Sequence, residues 1–261
     1  MGWTESGRAW GEQAVDWAYL IEPYARRVND ALFDRAGVGP GTRLLDIACG
    51  SGYAAGVAAA RGAAVAGLDA SEALIAIARA RTPDADFRIG DMFDLPFGDG
   101  QFDVATSFNG IWKGCEDALR EARRVVRPGG LVGITFWGAP KRLGLLPYFA
   151  TLLELSPADH VDATVSQGET GRPGVAEQML ADAGLEFVDR GSAQAVNEWP
   201  DLDLAVRALA AAGPSWPALQ QAGYDRFAEA VRAAIRPLWA EGLGIRIVSE
   251  FGWIMGRVPD A

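Results

Sequence analysis

The chain has 261 residues, 49% of them apolar and 22% charged, which is enough to bury a sizeable core in an ordinary globular fold. A formal net charge of −10 argues against a nucleic-acid partner, because neutralising phosphates takes Lys and Arg clustered on one face. Two cysteines, Cys49 and Cys115, provide neither a disulfide framework nor a C-x-x-C metal site, and no apolar run is long enough to span a bilayer; a cytoplasmic protein without metal or membrane partner is expected.

Residues 1–40 carry Trp10, Trp17, Tyr19 and Tyr24 among Val15, Leu20 and Val28, a pattern that predicts amphipathic helices ending at the glycine-proline turn 37–41. From there strand and helix alternate. Strands are predicted at 42–48, 64–69 and 86–89, with helices from 53 and from Ser71-Glu72 to Arg81 between them. A strand at 102–106, a helix at 115–126 closed by Arg127-Pro128-Gly129-Gly130, and a strand at 131–137 follow. Strict alternation predicts parallel strands with helices on both faces.

The alternation then breaks. Residues 139–170 read as an insertion with a helical piece near 147–155, before a helix at 173–183, a strand opening at 185–188, helices across 199–242 and a last strand at 245–258. The expected organisation is a single α/β domain in which 1–40 forms a helical lid, 42–137 binds a cofactor, and 139–170 and 199–242 cap a substrate. Arg120, Arg123, Arg124 and Arg127, interrupted by Glu121, read as a solvated helix face.

The strand-turn-helix at 44–55 carries the chemistry. Gly50-Ser51-Gly52-Tyr53-Ala54-Ala55 satisfies G-x-G-x-x-G/A, and Asp69 lies near the expected spacing at a second strand end, where a carboxylate can accept hydrogen bonds from ribose hydroxyls. A nicotinamide dinucleotide is one reading. Against it, Asp46 would place a negative charge beside a pyrophosphate, and no Tyr-x-x-x-Lys occurs in the chain. A carboxylate at 46 suits a ligand bearing ammonium or sulfonium.

Asp46-x-x-Cys49-Gly50-x-Gly52, Asp69, Gly90-Asp91-Met92, Phe102-Asp103 and Arg124-Val125-Val126-Arg127-Pro128-Gly129-Gly130 resemble, in order and spacing, the motifs of class I S-adenosylmethionine-dependent methyltransferases of the small-molecule, ubiquinone-biosynthesis-like type. The resemblance covers about residues 42–137. It implies a Rossmann-like, doubly wound, seven-stranded sheet, mostly parallel, whose last strand runs antiparallel. It also implies that Asp46 with Ala48, Cys49, Gly50 and Gly52 holds the methionine part of S-adenosylmethionine. Asp69 and Ala70 would meet the ribose, Asp91 and Met92 the adenine, and Phe108 would flank the sulfonium. Asp99 and Asp103, at a turn and a strand start, read as local backbone acceptors.

The methyl acceptor is less legible. His160, the only histidine, is the candidate base, and Asn109, at the mouth of the fourth strand, is the candidate residue facing the reacting groups. Ser107-Phe108-Asn109-Gly110 departs from the (Asp/Asn)-Pro-Pro-(Tyr/Phe) motif of enzymes that methylate nucleobase amino groups, so a small molecule is expected as substrate. Nine tryptophans, several in the lid and insertions, predict an aromatic-lined pocket for a flat or hydrophobic acceptor, with O-methylation favoured. The same cofactor site serving a cyclisation or a binding function is the alternative, and the motifs alone do not separate the two.

Overall fold

The computed structural model describes residues 2–158 and 168–260. Strands β1 (Arg43–Ile47), β2 (Ala64–Asp69), β3 (Asp86–Ile89), β4 (Phe102–Phe108), β5 (Val126–Trp137), β6 (Glu186–Trp199), β7 (Trp239–Ala240) and β8 (Gly244–Arg257) form one sheet. Its order is β3-β2-β1-β4-β5-β8-β6, with the two-residue β7 pairing against the start of β8. β1 to β5 pair in parallel, and β8 runs antiparallel to both β5 and β6. The expected seven-strand sheet with an antiparallel last strand is therefore present, with β7 as a short addition.

Side chains alternate across the strands and sort the helices onto two faces. Leu45 and Ile47 of β1, with Val132, Ile134 and Phe136 of β5, pack on Leu119 and Ala122 of the helix Glu116–Val125 and on Met179 and Leu180 of the helix Val175–Asp182. On the opposite face, Leu44 meets Phe33, Val57 and Ala58, while Val28 and Leu32 pack on Phe251, Trp253 and Met255 of β8. The helices there are Arg26–Ala36, Tyr53–Ala60 and Glu72–Arg81. A separate cluster joins the helices Leu146–Leu155, Leu202–Ala210, Trp216–Ala222 and Tyr224–Ile235 over Trp199, Ile245 and Ile247.

Two details differ from the sequence reading. The strand expected to open at 185–188 runs 14 residues, as far as Trp199, where helices are expected to start. It is an edge strand, paired only with β8, and apart from Phe187 its exposed residues are polar, so no apolar run announces it. Arg124 is also more than a solvated residue: its guanidinium donates to the carbonyls of Leu95 (2.9 Å) and Phe97 (2.8 Å) and pairs with Glu121 and Asp99. Arg124→Met leaves those carbonyls without a donor and is expected to cost about 2–3 kcal/mol by urea denaturation. Asp103 likewise bonds across the sheet, to the backbone and guanidinium of Arg43 and to Arg127, rather than to its own turn.

Candidate active site

β1 ends in a turn that only small residues allow. Gly50 (φ +55°) and Gly52 (φ +74°) are left-handed, and Ala48 (φ +55°) adopts the same region despite its Cβ. A Cβ on Gly52 would lie 2.7 Å from that of Ala78, and one on Gly50 would lie 2.7 Å from Glu22 Oε1. The turn is fastened to β2 by Cys49 N–H donating to Leu68 O (3.0 Å) and by Gly50 N–H donating to Asp69 Oδ2 (2.8 Å). The other oxygen of Asp69 accepts from Ser71 N–H (2.8 Å), while Ser71 caps the following helix through Leu74 N–H.

Asp46 is 1% exposed. Its register partner on β4, Thr106, donates to Oδ1 at 3.2 Å, and Oδ2 has no partner. Burial pushes this carboxyl up to about 8 against the Thr106 hydrogen bond, and the nearby acids Glu22 and Asp69 add to the rise. Asp69 is raised by burial, opposed by its backbone donors, and Glu22 is raised by burial, opposed by Ser51 and Arg81. Burial holds the Cys49 thiol well above its usual range, so it is not a nucleophile. Three acids around one glycine turn, one with a buried oxygen free, make a place for a positively charged ligand group.

Glu22 is the participant that the sequence did not reveal. The N-terminal segment, helix Trp3–Gly11 followed by short turns to Ala25, lies across the C-terminal ends of the strands. Glu22 accepts from Ser51 N–H (3.0 Å), from the Ser51 hydroxyl and from Arg81 (2.8 Å). Arg81 also donates to Ala18 O (2.8 Å) and lies over the Tyr19 ring.

Beneath this segment is a cavity of about 580 Å³. At one end it is lined by Asp46, Ala48, Cys49, Gly50, Asp69, Ala70, Gly90, Asp91 and Met92. Asp91 Oδ1 accepts from Phe93 N–H (2.9 Å), which shapes the loop after β3. At the other end, Tyr24, Trp137, Leu145, Tyr148, Phe149 and Asn197 form the wall, with Phe108, Asn109 and Trp112 between the two. Tyr24 stacks on Trp137 (6.5 Å between ring centres, 15° between planes) and Phe149 meets Trp137 edge-on at 5.0 Å.

Asn109 is held with φ +58°, its N–H donating to Thr135 Oγ1 (3.0 Å) and its Oδ1 accepting from the Thr135 hydroxyl (3.3 Å), while burial raises the nearby Tyr24 phenol above its usual range. Phe108 packs edge-on against Phe33 at 5.3 Å. Of the cofactor candidates, Gly52 is the one beneath the turn rather than in the cavity wall. His160 lies outside the described residues. Trp3, Trp10, Trp17, Trp112 and Trp137 line the cavity, whereas Trp199 packs in the helical cluster and Trp239 is exposed.

Among the described residues no group of three or more His, Cys, Asp or Glu side chains is placed to hold a metal, and no helix is long and apolar enough to cross a membrane. The Methyltransferase domain family matches residues 45–134. A demethylmenaquinone methyltransferase of Renibacterium salmoninarum is 37% identical over 117 residues, 44% of this chain and 49% of that protein, so the chain spans about half the length of that relative. One of Paenarthrobacter aurescens is 31% identical over 172 residues, 61% of this chain and 68% of that protein. The crystal structure of the cyclase SpnF superimposes with a TM-score of 0.59 at 23% identity, covering 91% of this chain and 82% of that one, a likeness of fold. With the glycine turn, the strand order and these relatives in agreement, the chain belongs to the class I S-adenosylmethionine-dependent methyltransferases.

Proposed function

We propose that the cavity binds S-adenosylmethionine at its β1–β3 end and a flat, hydrophobic small molecule at its β4–β6 end, and that the methyl group passes to an oxygen of that molecule. The observation that carries this reading is the buried Oδ2 of Asp46, which lacks a partner in a wall already crowded with carboxylates. Asp46 would take the ammonium of the methionine part, with Ala48, Cys49 and Gly50 beneath it and Gly52 making the turn. Asp69 would accept from the ribose hydroxyls, Ala70 beside it, while Asp91 and Met92 would hold the adenine. Phe108 would flank the sulfonium. Residues 1–40 would act as the lid, and the helices from 139–170 and 199–242 as the cap.

When bound, the sulfonium supplies an electrophilic methyl. An acceptor oxygen, its proton already given up to solvent, would take that methyl as the S–C bond gives its electron pair to sulfur. The protein's part is alignment and exclusion of water. Asn109 is an amide and Tyr24 is kept as a phenol by burial, so neither takes a proton at neutral pH. Their role is to position the acceptor, and a phenol or enol that ionises readily suits a site without a described base. His160 remains the candidate for that base.

The aromatic wall and the quinone-pathway names of the relatives support an aromatic acceptor. Incubation with methyl-labelled cofactor and hydroxylated aromatic acceptors is expected to yield S-adenosylhomocysteine and labelled methyl ether in equal amounts; cofactor binding without either product would overturn methyl transfer in favour of a non-methylating role. Asp69→Ala is expected to weaken cofactor binding about 10- to 100-fold by calorimetry, the scale of hydrogen bonds to a charged group. Because Asp69 also ties the turn to β2, a fall in melting temperature accompanies it.

A further inference from the structure

Among the described residues, three buried side-chain oxygens without a hydrogen-bond partner belong to residues of the cavity wall: those of Asn29, Asp46 and Asn197. A buried polar atom in that state requires an explanation. Asp46 faces the cofactor end, and Asn29 sits on the helix Arg26–Ala36, which packs against the helix that follows the glycine turn. Asn197 is placed differently. It lies near the C-terminal end of β6, and the order β1-β4-β5-β8-β6 puts it four strand spacings from β1, roughly 19 Å along the sheet. The ends of β2 and β3 are on the far side of β1, so Asn197 borders the acceptor end alone.

Two other polar side chains of this region are already satisfied. The Tyr148 hydroxyl bonds to Ser215 Oγ (2.7 Å) and Leu209 O (3.3 Å), and Trp199 Nε1 donates to Leu20 O (3.0 Å). Across the ladder Asn197 faces Ile247, and Ser249, two residues further on β8, leaves its own Oγ unbonded instead of serving Asn197. With 4% of its surface exposed, Asn197 is held against an aromatic wall with one acceptor atom unfilled.

Resting on the reading of this cavity as an aromatic acceptor site, we infer that Asn197 is the specificity-determining contact for that acceptor. Its carboxamide oxygen accepts a hydrogen bond from an O–H or N–H at the end of the molecule remote from the methylated atom, while the rings lie along Trp137, Tyr24 and Phe149. A hydrogen-bond donor lacking from that end leaves Asn197 buried and unpaired in the complex, so the site discriminates against unsubstituted analogues by about the worth of one hydrogen bond.

The test is calorimetric binding of 2-naphthol and of naphthalene to the full chain saturated with S-adenosylhomocysteine. Wild type is expected to prefer 2-naphthol about tenfold. Asn197→Leu, close in shape, is expected to bind both with the affinity wild type shows for naphthalene, and Asn197→Ala to lose the preference in the same way. Affinity for S-adenosylhomocysteine, unchanged in each variant, reports that the fold is intact. A wild type that binds both compounds equally, or variants that keep its preference, would overturn the inference while leaving the aromatic site standing. If wild type binds S-adenosylhomocysteine but neither compound, the aromatic-acceptor reading falls and the inference with it.

Discussion

Asp46→Asn is expected to weaken S-adenosylmethionine binding about 10- to 100-fold and, at the same time, to raise the stability of the ligand-free protein. The two effects have one cause. In the ligand-free fold the Asp46 carboxyl is raised from 3.8 to about 8, chiefly by burial, so between those values the native state holds a proton that the unfolded chain has released. Stability contributed at this site is therefore full below about pH 4 and falls as pH rises towards 8. Asparagine removes that dependence, keeping an oxygen to accept from Thr106. The gain over wild type should be near zero at pH 4 and grow steadily towards pH 8, by at most about 1.36 kcal/mol per pH unit. A cationic ligand reverses the balance by favouring the carboxylate. Cofactor binding to wild type should tighten as pH rises from 6 to 8, with proton release measurable as a buffer-dependent heat, and Asp46→Asn should show neither. Equal affinity of wild type and variant across that range would sink the assignment of Asp46 to the ammonium.

Asp46 was legible because its surroundings are local: an apolar run, an acid and two glycines within nine residues specify strand, turn and helix start. The same holds for Ser71, which caps its helix, and for Asp69 at a strand end. What the sequence hid are contacts made at long range by residues of ordinary local appearance. Asn197 lies between Val196 and Glu198 in an edge strand of mixed composition, and its value as a cavity residue depends on a strand order that no local pattern encodes. Arg124 has the spacing of a solvated helix residue, yet the loop after β3 brings two carbonyls to it. The tryptophans are divided by tertiary packing too: Trp10 and Trp17, 4.8 Å apart edge-on, line the cavity, while Trp199 uses its indole to hold the N-terminal segment at Leu20. Glu22 is the largest omission. An acid in an amphipathic helical segment reads as solvent-facing, and its partners are 29 and 59 residues away.

Those partners make Arg81→Met the substitution with the largest expected cost to the fold, about 3–5 kcal/mol at pH 8. The Arg81 and Glu22 side chains are only 20% and 13% exposed, and Arg81 is the cation in contact with Glu22 beside Asp46 and Asp69. Methionine fills the space but leaves Glu22 without its counter-charge and Ala18 O without its donor. Glu22 is raised by burial even with Arg81 present, so without Arg81 it rises further. The native state of the variant then keeps a proton over a wider pH range, so its deficit against wild type grows as pH rises through the raised Glu22 value of the wild-type fold and is smallest below it. Glu22→Gln should be milder, because the amide oxygen still accepts from Ser51 and Arg81, and Arg81→Met combined with Glu22→Gln should recover much of the single-variant loss. Urea denaturation of the four proteins at pH 5 and pH 8 gives the coupling; additive losses, or a deficit independent of pH, would show that Arg81 acts through packing alone. Because the pair fastens residues 17–25 over the glycine turn, the loss should also appear as faster dissociation of S-adenosylhomocysteine from Arg81→Met than from wild type, with Asn197-dependent acceptor preference unchanged once the cofactor product is saturating.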